Sequence, residues 1–360
     1  MKIIQITDFH FKNEEPFFRA GKALYNYILA YLHTLKEPFV FLDSGDHFHI
    51  SKETGRVNGE VNKFFYEVSQ IDNCQWIFIM QGNHDIKEDT GSALDVLKYL
   101  KVFIVDKPRF IDTSANNDNS AYVYLLPHAR PFSMEGYVGV KSYGEEEFHR
   151  KFWASYQNPL INWDEIKPKI KMVSLHGGDE TTGKLFMNVD ISFIPGIRSN
   201  GHIHKQISKN HLPSVSVTRR DEADKKCYIR IIDTETWEIE DKEIPLFLNY
   251  IQIPYGGNID DLFGKVTNIK PEESLIVDIY GHDDRDFVIK EYAEKWKDRE
   301  SPTFYIGEVS SVERKGESVQ VEERDSLDLS SINLKELFME FCEEKKLSKA
   351  ITDDLLQRIA

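Results

Sequence analysis

The chain has 360 residues, of which 60 are acidic, 45 are basic and 3 are cysteines, and its formal net charge at pH 7 is −15. This length exceeds what one hydrophobic core usually holds, so we expect one large domain with smaller additions. The scattered cysteines argue against a disulfide framework or a structural zinc site. Together with the lack of a membrane-length apolar run, they predict a cytoplasmic protein without a membrane span.

Four apolar segments are predicted strands, and each ends just before a polar motif. The segments cover residues 2–7, 39–42, 76–80 and 172–175. The motifs that follow them are Asp8-Phe9-His10, Gly45-Asp46, Gly82-Asn83-His84-Asp85 and His176, and a fifth motif, Gly201-His202-Ile203-His204, lies further along the chain. Ligands of open α/β sheets bind at the carboxyl ends of strands, so we expect these motifs to meet in one site. The strand that starts at residue 2 predicts a chain without a signal peptide.

The residue types in these motifs are those that hold two divalent cations around a phosphoryl group. Asp46 is the natural carboxylate to be shared by both cations. The other ligands divide into two sets, Asp8, His10 and His204 for the first metal and Asn83, His176 and His202 for the second. Imidazole, carboxylate and amide ligands without thiolate suit manganese or iron, admit zinc and disfavour calcium. The sequence therefore predicts a two-metal phosphoesterase site, with manganese as the preferred ion.

Each short motif also has a purely structural interpretation. An isolated Asp-x-His or Gly-Asp at the end of a strand is more often a turn or a cap than a metal ligand. The occurrence of all five motifs in this order, four of them after the apolar segments named above, favours the metal site. Four histidines outside the motifs stand in polar or helical contexts and are predicted to lie on the surface: His33, His149, His211 and His282.

The motifs resemble those of the calcineurin-like metallophosphoesterases, and within them the SbcD-type recombination and repair nucleases, above all phage SbcD-like subunits. The resemblance covers nearly the whole chain. The stretch Gly45-Asp46-His47-Phe48-His49 narrows the resemblance to the nucleases, because its last histidine matches a nuclease position near the metals. Protein phosphatases instead show Gly-Asp-x-Val-Asp-Arg-Gly, and that arginine is missing here. The chain departs from the family at Leu212-Pro213-Ser214-Val215-Ser216-Val217, where relatives often show Gly-Ser-Pro or Gly-Thr-Pro. Substrate-loop residues are therefore not transferred from the relatives.

The resemblance implies roles for further residues near the metals. His84 is implied to protonate the departing sugar oxygen, and His49 to hold His84 or the phosphate in position. Asp85 is expected either to orient His84 or to be an acid at a helix N-terminus. His47 could lie over the site or face away from the metals, and the alternation of side chains along extended backbone favours the second orientation.

The chain is predicted to have four parts. Residues 1–245 form the nuclease domain, which the resemblance implies is a four-layer α/β/β/α sandwich closed by a hairpin of residues 227–239. Residues 246–312 match in place a small α+β capping, DNA-binding domain, with strands at 250–253, 274–280 and 303–309 and helices at 259–266 and 286–296. Residues 313–330 are a charged linker, and residues 331–360 are a helical tail.

The tail carries an apolar stripe at helical spacing, formed by Leu334, Leu337, Phe338, Phe341, Leu355, Leu356 and Ile359. Two short helices cannot bury this stripe between themselves. Docking onto the parent domain is one interpretation. The linker and the resemblance favour a partner, namely the base of the coiled coil of an SbcC-like ABC-type ATPase.

A second apolar face predicts a homodimer, because it lies in the region that forms the dimer bundle of the resembled nucleases. It comprises Val57, Val61, Phe64, Phe65 and Val68, followed by Leu94, Leu97 and Leu100. Most of these residues would also be core residues in any fold.

Three functions from different classes are consistent with the sequence. The first is a DNA nuclease, exonuclease and endonuclease, that works as a subunit of an SbcCD-like complex. The second is a stand-alone phosphatase or cyclic-nucleotide phosphodiesterase, and the third is a scaffold that tethers DNA and ATPase. Because the net charge of the chain is negative and DNA is a polyanion, contacts to DNA must come from a local basic surface. The C-terminal third and the missing phosphatase arginine favour the first function.

Overall fold

The computed structural model describes residues 1–50, 54–87, 91–92, 94, 101–113, 120–128, 139, 142–155, 161–179, 189–204, 208–216, 222, 225–254, 274–281 and 304–311. The chain divides into two compact units, residues 1–312 and 313–360, and every described residue belongs to the first. The four-part division stays a prediction, and the apolar stripe of the tail lies outside the described residues. Among the described helices, none is long and apolar enough to cross a membrane.

The described part contains fifteen strands and four α-helices. The strands are β1 (Lys2–Ile6), β2 (Phe39–Asp43), β3 (Cys74–Met80), β4 (Ile86–Lys87), β5 (Gly91–Ser92), β6 (Val102–Val105), β7 (Arg109–Asp112), β8 (Tyr122–Leu126), β9 (Ile170–Leu175), β10 (Ile197–Arg198), β11 (Cys227–Asp233), β12 (Ile239–Ile244), β13 (Leu248–Pro254), β14 (Ser274–Gly281) and β15 (Phe304–Ser311). The helices are α1 (Phe17–Thr34), α2 (Gly55–Ser69), α3 (Glu146–Ser155) and α4 (Trp163–Ile166), the last continued by a 3₁₀ turn, Lys167–Lys169.

Two central sheets carry the predicted motifs. The first has the order β12-β11-β1-β2-β3-β6, in which β1, β2, β3 and β6 run parallel and β11 pairs with β1 in the antiparallel direction. The second has the order β10-β9-β8-β7, in which β8, β9 and β10 are parallel. The predicted hairpin, β11-β12, is therefore confirmed, with its second strand starting at Ile239 rather than at residue 237.

Three apolar clusters define the layers. The cluster between the two sheets joins residues such as Val40 and Phe78 of the first sheet to Val123 and Met172 of the second. A second cluster packs α1 and α2 on the outer face of the first sheet. A third cluster packs α3 and α4 on the outer face of the second sheet. The order helix, sheet, sheet, helix confirms the four-layer α/β/β/α architecture.

Helix α1 shows why these sequences become covering helices. Its buried residues recur every three or four positions, as Phe18, Gly21, Leu24, Tyr25, Ile28 and Leu32, so one stripe faces the sheet. Helix α2 has the same pattern and begins after Thr54, whose hydroxyl accepts the backbone N–H of Val57 at 3.4 Å.

The residues predicted to form a dimer face belong to the interior. Val57, Val61, Phe64, Phe65, Val68 and Leu94 are all fully buried or nearly so and pack in the cluster on the first sheet. Leu97 and Leu100 lie outside the described residues. Homodimerisation stays a prediction, but the six buried side chains are not available to a partner.

Phe65→Ala is expected to lower the free energy of unfolding by about 3–5 kcal/mol, because it empties a filled core position. The Phe65 ring lies 4.9 Å from the His47 ring and 6.4 Å from the Phe41 ring, centroid to centroid. Tyr66→Ala is the matched control: Tyr66 is 55 % exposed, and its loss should change stability by no more than about 0.5 kcal/mol. Urea unfolding measures both. A small effect of Phe65→Ala combined with a lower oligomeric state would instead support the dimer face.

The region after residue 245 forms a small parallel sheet of the order β13-β14-β15. The three strands predicted there are confirmed within about two residues at each end, while the two predicted helices lie outside the described residues. Leu248 and Ile276 of this sheet pack against Ala20 of α1. The small sheet thus attaches to the helix that covers the first central sheet.

Two of the four histidines predicted to lie on the surface are buried. His149 binds the Tyr124 hydroxyl through Nδ1 and the Tyr143 carbonyl through Nε2, both at 2.8 Å, and burial lowers its pKa to about 4. His211 is also fully buried, with Nδ1 at 2.9 Å from the Ser208 hydroxyl. The surface prediction is wrong for both, because hydrogen bonds with Tyr124 and Tyr143 for His149, and with the nearby Ser208 for His211, make burial of a polar ring acceptable. His33 is exposed as predicted, and His282 lies outside the described residues.

Candidate metal centre

The seven predicted metal ligands converge at one edge of the two sheets. They follow the carboxyl ends of β1, β2, β3, β9 and β10. Two of the loops are joined by backbone hydrogen bonds, from Asp8 N to Gly45 O at 2.9 Å and from His10 N to Asp46 O at 3.0 Å. The expectation that strand ends bring the motifs together is therefore met.

The first ligand group comprises Asp8, His10 and His204, whose donor atoms lie within 4.8 Å of one another. Nε2 of His10 and Nε2 of His204 are 2.9 Å apart. Oδ1 of Asp8 lies 3.7 Å from the His204 nitrogen and 3.9 Å from the His10 nitrogen. Its other oxygen, Oδ2, accepts the Thr7 hydroxyl and the backbone N–H of His202. Oδ1 is thereby directed at the two imidazoles.

The second group comprises Asp46, His176 and His202, again within 4.8 Å, with Asn83 beside them. Nε2 of His176 lies 3.3 Å from Oδ2 of Asp46 and 3.3 Å from Oδ1 of Asn83. Nδ1 of His176 donates to the Ser44 carbonyl at 2.7 Å. That bond keeps a proton on Nδ1, so Nε2 is the nitrogen that faces the group.

Asp46 lies between the two groups. The same oxygen, Oδ2, is 3.3 Å from His176 Nε2 and 3.9 Å from His10 Nε2. Its other oxygen, Oδ1, accepts the backbone N–H of His84 at 2.8 Å. Although burial would raise the pKa of Asp46, the charge of the neighbouring His176 holds it well below its usual range. An ionised carboxylate thus faces both groups through one atom.

The backbone at these positions is unusual. Asp8, His10, Asp46 and His202 have φ values of 52°, 48°, 54° and 80°. Left-handed conformations are uncommon for residues other than glycine and cost of the order of 1–3 kcal/mol each. Such outliers persist where the surrounding structure enforces them, and they concentrate at functional sites. Four of the seven predicted ligands share this feature.

Two glycines of the motifs are required by the close packing of the ligands. A Cβ atom on Gly45, whose φ is +107°, would collide with the His176 ring. A Cβ atom on Gly82 would collide with the Asp46 carboxylate. Glycine precedes Asp46 and Asn83 because no other residue leaves room for the second group of side chains.

His84 and His49 lie beside the first ligand group. The His84 ring is 4.9 Å from the His10 ring, and Nδ1 of His84 donates to the backbone carbonyl of His49 at 2.7 Å. The His49 ring is stacked at 5.8 Å from the His84 ring. His49 therefore holds His84 through its main chain as well as through its ring.

Asp85 and His47 support the loops. Asp85 accepts the backbone N–H groups of Asp46, Gly82 and Phe48 at 2.9–3.1 Å, and burial together with the charge of Asp46 raises its pKa to about 8. β4 follows it, so it is not at a helix N-terminus, and its contacts fix backbone rather than the His84 ring. His47 faces away from the ligands as predicted, and it is bonded to Asp43 and, at 2.6 Å, to the Tyr25 hydroxyl.

Two further residues near the centre were not predicted from the sequence. His128 follows β8, and its ring lies 6.2 Å from that of His176. The apolar segment before it is the same signal that indicates the other motifs. Glu222 pairs with Nδ1 of His204, and no local pattern distinguishes it.

Comparison with known proteins identifies the family. Residues 1–206, more than half of the chain, match the sequence model of the calcineurin-like phosphoesterases. The chain belongs to the calcineurin-like phosphoesterases. No curated protein matches it in sequence. A solved structure characterised as a novel archaeal phosphodiesterase is similar over 68 % of this chain and 100 % of that chain, with 10 % sequence identity and a TM-score of 0.31. The family assignment rests on the sequence match alone.

This calcineurin-like phosphoesterase offers a donor set that fits the divalent cations of its family. Oδ1 of Asp8 is buried and has no hydrogen-bond partner among the described residues. Such an atom is costly unless something satisfies it, and a cation between it and the two imidazoles would do so. Burial lowers the pKa of His10 and of His202, which keeps these rings neutral and able to donate a lone pair.

Proposed function

We propose that this phosphoesterase is a manganese-dependent, two-metal DNA nuclease of the SbcD type. The single observation that carries the proposal is the position of Asp46 Oδ2, 3.3 Å from His176 Nε2 and 3.9 Å from His10 Nε2. One carboxylate oxygen between two ligand groups is what a shared metal ligand requires. The nuclease-like His49 and the missing phosphatase arginine support a diester rather than a protein monoester as substrate.

The proposed ligands form two sets, one for each cation. The first cation would be held by Asp8, His10, His204 and Asp46, and the second by Asn83, His176, His202 and Asp46. When bound, the pair supplies charge that stabilises the phosphoryl group and a nucleophile at neutral pH. Two carboxylates, imidazoles and an amide, without thiolate, suit manganese or iron, and manganese is the proposed ion.

In this proposal His84 is the general acid that protonates the leaving group. As an imidazolium it would keep its Nδ1–H on the His49 carbonyl, 2.7 Å away, and give its Nε2–H to the departing sugar oxygen. The neutral ring that remains is the Nδ1–H tautomer, which the same hydrogen bond favours. That hydrogen bond therefore supports Nε2 as the nitrogen that donates.

The proposed partners are duplex DNA, an SbcC-like ABC-type ATPase and a second copy of the chain. Because the net charge is −15, DNA must be held by a local basic surface and by the cations. The capping region is the proposed place for that surface. The complex of this chain with the ATPase would be a recombination and repair nuclease. A phage origin of the chain is part of the same proposal.

One assay separates the candidate functions. Metal-free protein is supplied with Mn²⁺, Mg²⁺ or Ca²⁺ and given labelled duplex DNA, bis(p-nitrophenyl) phosphate or p-nitrophenyl phosphate, with and without the ATPase. We expect Mn²⁺-dependent cutting of DNA and of the small diester. Cleavage of the small diester without DNA cleavage would support a stand-alone phosphodiesterase, monoester cleavage alone a phosphatase, and DNA binding without cleavage a scaffold.

Deletion of residues 331–360 is expected to leave cleavage of the small diester nearly unchanged and to abolish co-purification with the ATPase. The predicted charged linker would make the tail separable from the nuclease domain. Leu337→Asp together with Phe341→Asp should have the same effect, because a carboxylate is unfavourable in an apolar groove. Ser348→Asp is the polar control and should still co-purify. Aggregation or melting of the nuclease domain after deletion would indicate that the tail is part of its own core.

A further inference from the structure

Glu222 is a buried carboxylate next to the first ligand group. Its side chain is 2 % exposed, and Oε1 pairs with Nδ1 of His204. Its other oxygen, Oε2, accepts Nζ of Lys225 at 3.2 Å, and the Lys225 side chain is itself 6 % exposed. A row of hydrogen bonds thus runs from Lys225 through Glu222 to His204.

At the His204 end of this row, the atom Nε2 is a candidate metal ligand. Nε2 of His204 lies 2.9 Å from Nε2 of His10 and 3.7 Å from Oδ1 of Asp8. A histidine ligates through one nitrogen only if the other carries the proton, and a carboxylate that accepts that proton fixes both the tautomer and the ring orientation. It also makes the ligating nitrogen a better donor.

His204 and His176 differ in the strength of this support. Nδ1 of His176 donates to a neutral acceptor, the Ser44 carbonyl. Nδ1 of His204 instead meets a carboxylate, and a hydrogen bond to an ionised acceptor is roughly twice as strong as one between neutral groups. Lys225 places a cation beside that carboxylate, with Nζ 3.2 Å from Oε2.

We infer that Glu222 is a positioning residue that sets the affinity of the first metal position through His204. The inference rests on the proposed two-metal site. Loss of a carboxylate behind a ligating histidine typically lowers metal affinity by about 10- to 100-fold. The effect should be confined to one of the two positions, because the described ligands of the second group do not include His204.

The test is a Mn²⁺ titration of the full chain, with free Mn²⁺ measured by electron paramagnetic resonance. For Glu222→Gln we expect one equivalent to bind about 10- to 100-fold more weakly while the other is unchanged. Saturating Mn²⁺ should restore most of the diesterase activity. Glu222→Asp, which keeps the charge, should lie between wild type and Glu222→Gln. The control is Glu243→Gln, since Glu243 is an exposed acid that pairs with Lys226 at 2.8 Å, and it should bind both equivalents normally.

Each other outcome is informative. If Glu222→Gln melts earlier but binds both equivalents with wild-type affinity, Glu222 is merely structural and the inference is overturned. If Glu222→Gln does not fold, the decision passes to Glu222→Asp, and two normal equivalents there overturn the inference too. If the wild-type chain binds fewer than two equivalents or cleaves no diester, the proposed function itself fails. That result comes from the wild-type protein alone and does not depend on the Glu222 variants.

Discussion

Asp46→Asn is expected to reduce phosphodiester hydrolysis by at least about 10²–10³-fold, the scale on which an essential electrostatic group acts, and to remove at least one of two bound metal equivalents. The substitution hardly changes the shape of the side chain but removes its charge. Oδ2 of Asp46 is the atom placed between the two groups, and Oδ1 is already bonded to the backbone N–H of His84. A neutral amide has no anionic oxygen with which to balance two dications.

The measurement is metal content by elemental analysis together with the rate on a small diester. His33→Ala is the control, because His33 is exposed on α1 and lies outside the five motifs. Equal damage from both substitutions would show that the loss reflects folding. An Asp46→Asn variant that keeps two equivalents and full activity would rule out a shared carboxylate.

The parts of the centre that follow from local sequence were predictable. A short apolar strand that ends in Asp-x-His or Gly-Asp places its polar residue at the carboxyl end of that strand, where open α/β sheets bind their ligands. That is why the amino-acid sequence is enough to place Asp8, Asp46 and His176 together. His128 obeys the same rule, and the apolar strand before it is an equally clear signal.

The parts that depend on distant partners were not predictable. The contact between Glu222 and His204 depends on how the chain returns to the site after the last motif, and composition does not encode that path. His149 has the sequence context of a surface residue, but Tyr124 and Tyr143 satisfy both of its nitrogens in the interior. The apolar face of α2 has the periodicity of an interface and of a core alike, and its packing on the first sheet decides between them.

His84→Ala is expected to keep both metal equivalents and DNA binding while cutting DNA about 10²- to 10⁴-fold more slowly, the range of a lost general acid. The substitution removes only the ring, because the backbone N–H of residue 84 still binds Asp46. The decisive comparison is the leaving group. A p-nitrophenolate leaves without a proton, so the variant should hydrolyse bis(p-nitrophenyl) phosphate with a much smaller loss than it shows on DNA.

His49→Ala is the matched comparison for that experiment. It removes the stacked ring but keeps the carbonyl that accepts Nδ1–H of His84 at 2.7 Å, so its effect on DNA cleavage should be smaller than that of His84→Ala. Metal content again distinguishes a residue that stabilises the metal site from one that protonates the leaving group. If His84→Ala loses metal in proportion to activity, or slows both substrates equally, His84 stabilises the site rather than protonating the leaving group, because an absent proton donor penalises only the substrate that needs the proton.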